Sequence, residues 1–131
     1  MKLDPRCIRD LLITIEEKST LDDNYVSKRI SIYNLMDSDR LKDYSKKEII
    51  YTLKKLNEAY LVKAEFKYAS NMLYDCWVTE LTFQGHQFLS SISNSKVFEI
   101  VMTKIDEIGS GVTIDIIKAL ANKILKEKLG L

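Results

Sequence analysis

Ser45 stands three residues before Glu48, and an apolar series follows directly: Ile49, Leu53, Leu56 and Tyr60, flanked by Ile50. Serine and glutamate at that interval form a capping box, in which each side chain satisfies a backbone N–H that the first helical turn leaves unpaired. The apolar spacing is that of one helical face. A helix is therefore predicted to start at Ser45 and to bury that face. Its opposite face carries Lys47, Tyr51, Lys54 and Glu58, with Lys55 at the edge. The next residues restrict the fold further. Segments 61–68 (LVKAEFKY) and 73–81 (LYDCWVTEL) are rich in aromatic and β-branched residues. ASNM at 69–72 supplies a turn around Asn71. Thr82 then caps a helix running through Gly85, His86, Phe88, Leu89 and Ile92.

Upstream, Asp4-Pro5 is an N-cap followed by proline at the first helical position. Ile8, Leu11, Leu12 and Ile15 make one buried stripe, and Glu16, Glu17 and Lys18 end it. Residues 19–24 (STLDDN) read as a loop, Tyr25 to Tyr33 as a short strand through Val26, Ile30 and Ile32, and Asn34 to Leu41 as a short helix turning Leu35, Met36 and Leu41 inward. The last third is helical twice. Lys96 to Ile108 carries Val97, Phe98, Val101, Met102, Ile105 and Ile108, Gly109-Ser110-Gly111 breaks it, and Thr113 to Leu129 carries Ile114, Ile117, Leu120, Ala121, Ile124 and Leu125. The predicted fold class is α+β, mostly α. Residues 1–93 form the main domain, and residues 94–131 a helical hairpin packed on it or at a dimer interface.

Composition excludes several functions. With 46% hydrophobic residues in 131, the chain can build a core and is no disordered tail. Its longest apolar run is four residues, Ala59 to Val62, so no membrane span is expected. The opening MKLDPRCIRD has no apolar signal region, which predicts a cytoplasmic protein. Cys7 and Cys76 suit reduced core thiols. Four glycines permit neither GxGxxG nor a P-loop. Two cysteines and the single His86 cannot complete a zinc tetrahedron, and Asp37-x-Asp39 reads as a cap rather than a metal site. Ser90 and Ser91 lie near His86 but nothing marks an oxyanion hole. No catalytic residue, metal or cofactor is expected. His86 reads as a packing histidine, and Trp77 or Tyr74 as the apolar anchor of the hairpin.

The net charge of +1 conceals a segregation. Residues 1–39 sum to −2, with 6 basic and 8 acidic; residues 68–131 sum to −1, with 6 and 7. Residues 40–67 hold 8 basic residues (Arg40, Lys42, Lys46, Lys47, Lys54, Lys55, Lys63, Lys67) against 4 acidic, a net +4. The positive charge thus sits on the capped helix and first hairpin strand. In a helix-turn-helix the second helix enters the major groove with its N-terminal part on the bases, where the helix dipole also favours phosphate. The plainer reading is a solubilising lysine face, diluted by Glu48 and Glu58.

The order of short helix, turn, capped helix, hairpin and helix resembles a winged helix-turn-helix over about Met1 to Ile92. Val78-Thr79-Glu80-Leu81-Thr82-Phe83-Gln84-Gly85-His86-Gln87-Phe88-Leu89 is similar to the LTxxGxxxL block that follows the wing in many bacterial regulators. There, leucine closes the wing strand, threonine caps the helix and glycine permits close packing. Lys55 to Val62 resembles the "L-x-x-x-G-L-I" exit from a recognition helix, with Tyr60 where glycine is usual. More narrowly, the chain resembles a family of small bacterial and prophage proteins of unknown function. Its members share a CIRDLL-like first helix (Cys7 to Leu12), the LTxxGHxFL block and two C-terminal helices.

The resemblance implies a winged-helix fold and a mobile-element context but supplies no activity; the segregated +4 segment on that frame predicts a DNA-binding protein, a small transcriptional regulator of bacterial or prophage origin. Its partner would be double-stranded DNA, contacted by Ser45, Lys46, Lys47, Tyr51, Lys54, Lys55 and Lys67. The alternative is a winged-helix module of a mobile element that binds a protein partner and no DNA; the near-neutral balance of charge favours it. A homodimer is also expected. The apolar residues of the final helix cover about half its circumference, so Ile114, Ile117, Leu120, Ala121 and Ile124 are predicted to meet a second copy. The alternative is that both C-terminal helices cap the chain's own core.

Overall fold

A computed structural model describes residues 1–109 and 111–130. Six helices and a three-stranded antiparallel sheet follow in the order α1 (Pro5–Lys18), β1 (Ile30–Ser31), α2 (Ile32–Met36), a 3-10 turn (Asp39–Leu41), α3 (Lys46–Glu58), β2 (Val62–Ala69), β3 (Met72–Leu81), α4 (Phe83–Ile92), α5 (Ser95–Ile108) and α6 (Ile114–Leu129). The sheet order is β1-β3-β2. A capped helix leading into a hairpin, with a short strand from before the helix closing on the hairpin's second strand, is winged-helix-like. Ser110 of the interhelical break lies outside the described residues.

The helix starts obey local chemistry. Asp4 accepts from the Arg6 N–H at 2.9 Å. The capping box closes both ways, Glu48 N to Ser45 Oγ at 3.1 Å and Ser45 N to Glu48 Oε2 at 2.9 Å. Thr82 Oγ1 accepts from Gly85 N at 3.0 Å, Asn94 from the N–H groups of Lys96 and Val97, and Thr113 from Ile116 N. Such caps contribute about 1 kcal/mol each. The hairpin turns at Ser70-Asn71, both with positive φ (52° and 62°), the pattern of the tight turn whose twist matches paired strands.

Three predicted details differ. The strand expected over Tyr25 to Tyr33 shrinks to Ile30–Ser31. Ahead of it, Asp22 Oδ1 accepts from Asn24 N and Val26 N and curls the chain into a turn, with Tyr25 at φ 63°. Behind it, Ser31 Oγ accepts from Asn34 N and starts α2 two residues earlier than predicted. Tyr60, assigned to the buried face of α3, is 78% exposed. Leu61 N donates to Leu56 O (3.0 Å) and Tyr60 N to Asn57 O (3.1 Å), the paired bonds of a Schellman ending. That ending requires a left-handed residue, and Tyr60 supplies it with φ 59°.

One apolar core runs from Ile8 of α1 through Leu35, Ile49, Leu53, Leu61 and Val78 to Phe98, Ile117 and Ile124 of the C-terminal helices. Arg9 ties the two parts: its guanidinium donates to the Ile92 and Ser93 carbonyls (2.9 and 2.7 Å) at the end of α4 and lies 5.1 Å from the Phe98 ring centroid. The face of α6 expected to meet a second copy is largely used inside the chain. Ile114, Ile117, Ala121 and Ile124 are buried here and Leu120 is half-buried. The reason is geometric: α6 packs against both α4 and α5, so two neighbours cover its broad stripe. Of the five residues, Leu120 alone keeps substantial exposed surface for a contact between copies.

Candidate nucleic-acid interface

The exposed face of α3 is the centre of the candidate site. Ile49, Thr52, Leu53 and Leu56 are buried beneath it. Thr52 donates to the Glu48 carbonyl at 2.7 Å and touches Cys7 Sγ at 3.4 Å, locking α3 onto α1. On the hairpin side, Asn57 Oδ1 accepts from Ala64 N at 3.0 Å, so the helix and the first hairpin strand are held in fixed relation.

The basic residues of the segment divide into two groups. Arg40 pairs with Glu17 (3.2 Å), Lys42 with Asp39 (2.6 Å), Lys55 with Glu58 (3.0 Å), Lys63 with Glu80 (3.3 Å) and Lys67 with Glu65 (3.8 Å). The carboxylates raise the pKa of Lys42 and Lys55, chiefly by hydrogen bonding, and Lys42 in turn lowers that of Asp39. Among the described residues, Lys46, Lys47 and Lys54 pair with no carboxylate, and all three belong to α3. Of the five lysines expected to contact DNA, Lys55 and Lys67 are thus paired, and three carry unneutralised charge.

Two of those three sit against tyrosines. Lys46 Nζ lies 4.9 Å from the Tyr33 ring centroid and Lys54 Nζ 5.4 Å from that of Tyr68. Beside the first pair lies a shallow groove lined by Ile32 and Tyr33 of α2, Lys46 and Ile50 of α3, and Leu73, Tyr74, Asp75 and Cys76 of β3, so that one carboxylate stands among its walls. Tyr33, Tyr68, Met72 and Tyr74 are each more than half exposed. Burial pushes the Cys76 thiol at the groove floor up to about 11; Asp75 adds to this while Lys46 and Lys54 oppose it. The thiol therefore stays protonated at neutral pH and is no nucleophile.

The remaining predicted contacts fall in different places. Ser45 is committed to its cap. Tyr51 turns to the α1 side of α3, where its hydroxyl reaches the Met1 carbonyl at 3.3 Å and Lys55 lies 5.6 Å from its ring. Lys67 is on the other face of the hairpin, 5.9 Å from Trp77. Trp77, read from sequence as a core anchor, is only half-buried, with the Arg29 guanidinium 4.1 Å from its ring. Cys76 and Val78 already face inward, and strand alternation turns Trp77 out. Tyr74 is likewise exposed, because a register irregularity between Lys67 and Tyr68 leaves it without a partner on β2. His86 is exposed too, with Nδ1 3.2 Å from Glu16 Oε2 of α1.

Tyr33 and Tyr68 escaped the sequence reading, and Tyr74 was read there as an apolar anchor rather than an exposed ring. A signal existed: six of the seven tyrosines lie between residues 33 and 74, around the basic segment. Among the described residues no three His, Cys, Asp or Glu side chains gather as a metal site would require, and no helix is long and apolar enough to cross a membrane.

The family model described as "Hypothetical protein (DUF2513)" matches residues 2–112. The match takes in the sheet, α3 and the groove, and stops before α6. No curated protein and no solved structure matches the chain.

Proposed function

We propose, for a chain that belongs to the DUF2513 family of hypothetical proteins, that it is a DNA-binding protein using α3 and the adjoining hairpin, with a role as a small transcriptional regulator. The observation that carries this reading is the set of unneutralised lysines on one helix: Lys46, Lys47 and Lys54 are the cations of the +4 segment without a carboxylate partner among the described residues. Lys46 and Lys47 occupy the first turn of α3, where the helix dipole adds to their attraction for phosphate. The winged-helix-like frame supports it, since such a frame presents this helix to the major groove. A fold alone does not assign a function, so the charge on the helix carries the argument. The test is fluorescence anisotropy of the full chain with a labelled duplex of random sequence at low salt. Binding that Lys47→Glu/Lys54→Glu weakens at low salt supports the proposal, and absence of binding or an unaffected double variant rejects it.

A second reading, a module that binds protein without DNA, is favoured by one observation. Met72, Leu73, Tyr74 and Ile50 offer apolar surface beside the lysines, and tyrosine and methionine are enriched at protein interfaces.

A further inference from the structure

We infer that the groove between α3 and the hairpin takes unpaired DNA strand, its bases stacking on Tyr33 and Tyr74 while Lys46 and Lys54 hold the backbone. This rests on the DNA reading of the same face and names the form of DNA it accepts.

Three observations carry it. First, the exposed side of α3 is poor in groups that read base edges. Duplex readout relies on Arg, Asn and Gln as well as Lys. The helix contains no arginine or glutamine, and its one asparagine, Asn57, is occupied by the Ala64 N–H. Ser45 is likewise held in its cap. Secondly, aromatic rings stand where a base could reach them. Tyr33 and Tyr74 are 65% and 66% exposed and line one groove, and Tyr68 is paired with Leu73 across the hairpin beside it. Buried inside a duplex stack, a base offers no face to such rings; an unpaired base does. Thirdly, Lys46 lines the groove and Lys54 stands beyond it on the same helix, against Tyr68 of the hairpin. Lys46 and Lys54 are eight residues apart on α3, about 12 Å along its axis, the length of roughly three to four stacked nucleotides of one strand at about 3.4 Å each. Each ammonium already lies against a tyrosine ring, 4.9 Å from Tyr33 and 5.4 Å from Tyr68, so phosphate and stacking sites are adjacent. Lysine-lined grooves with aromatic platforms are the general solution for single strands, and they tolerate sequence.

The experiment titrates the full chain against labelled oligothymidylate, the random-sequence duplex and a glutamate-rich peptide, at low and moderate salt. Oligothymidylate should bind more tightly than the duplex. Tyr33→Ala/Tyr74→Ala should weaken single-strand binding by about tenfold or more, a larger loss than any in duplex binding, and Tyr33→Phe/Tyr74→Phe, which keeps both rings, should restore it. Both tyrosines are mostly exposed, and an unchanged melting curve for the alanine variant confirms that its fold is intact. A duplex bound at least as tightly as the single strand, or a single strand bound equally by the alanine variant, overturns this inference and leaves the DNA reading standing. Binding of neither nucleic acid, or of the acidic peptide alone, overturns both.

Discussion

Gly85 lies so close to the Leu61 carbonyl that a Cβ built on it would stand 1.9 Å from the oxygen. The same carbonyl accepts from Thr82 N at 3.0 Å, and Thr82 Oγ1 donates to the Tyr60 carbonyl at 2.6 Å. The start of α4 is thus pinned against the exit of α3, which sets where the hairpin leaves the candidate interface. Gly85→Ala should lower stability by about 2 kcal/mol, the cost of overpacking outweighing the gain of about 1 kcal/mol in helix propensity. Thermal denaturation followed by circular dichroism should show a melting point several degrees lower. An unchanged value would mean that α4 shifts freely, and the proposed pinning would be wrong.

Tyr60 stores strain of the opposite kind. It holds φ 59° with its ring 78% exposed, so the left-handed conformation is compensated by little burial. For a non-glycine residue that conformation costs about 1–2 kcal/mol. Tyr60→Gly should raise the urea midpoint by an amount equivalent to roughly 1 kcal/mol with the denaturant slope unchanged, while Tyr60→Ala, which keeps a Cβ, should not.

Salt dependence reads the charge on α3 directly. For duplex DNA, the slope of log affinity against log salt falls by about 0.9 for every phosphate that a variant no longer neutralises. Lys47→Glu/Lys54→Glu should therefore flatten the slope by nearly two. Lys63→Glu, which removes a cation already paired with Glu80 at 3.3 Å, should leave it nearly as it was.

The burial of Ile117 decides what a substitution there does. Its side chain is 0% exposed within a single chain. Ile117→Ala should cost about 2–5 kcal/mol, and the loss should be independent of protein concentration. Equilibrium unfolding at two concentrations tenfold apart checks this; a loss that changes with concentration would mean that the substitution also disturbs a contact between copies.

The two thiols predict an alkaline limit. Burial raises Cys7 and Cys76 from 9.0 to about 11 each. The unfolded chain then loses these protons at lower pH than the folded one. Between about pH 9 and 11 the folded state binds more protons, so stability falls as pH rises. Below pH 9 the contribution is fully present. Urea unfolding at pH 8 and pH 10.5 should show the loss, and Cys7→Ala/Cys76→Ala should reduce it. At pH 8 a thiol reagent should label the folded chain far more slowly than the urea-unfolded one.

Much of the fold was readable along the chain because its signals are local. The caps at Asp4, Ser45 and Thr82, the stripe at Ile8, Leu11, Leu12 and Ile15, and the turn before Met72 each act within a few residues, and each forms as predicted. The close-packing role of Gly85 follows from no such local signal; the resemblance to the LTxxGxxxL block implies it. What the linear chain left undetermined depends on partners distant in sequence. Carboxylates from α1 and β3, together with local ones, neutralise five of eight cations, so the basic segment shrinks to Lys46, Lys47 and Lys54. Strand pairing and a register irregularity turn Trp77 and Tyr74 outward, although both are large enough to read as core. Packing of α6 between α4 and α5 encloses Ile117 and Ile124, which helical periodicity could mark as apolar without saying what would cover them. Periodicity and capping are properties of neighbouring residues; neutralisation, facing and burial are properties of pairs that only folding brings together.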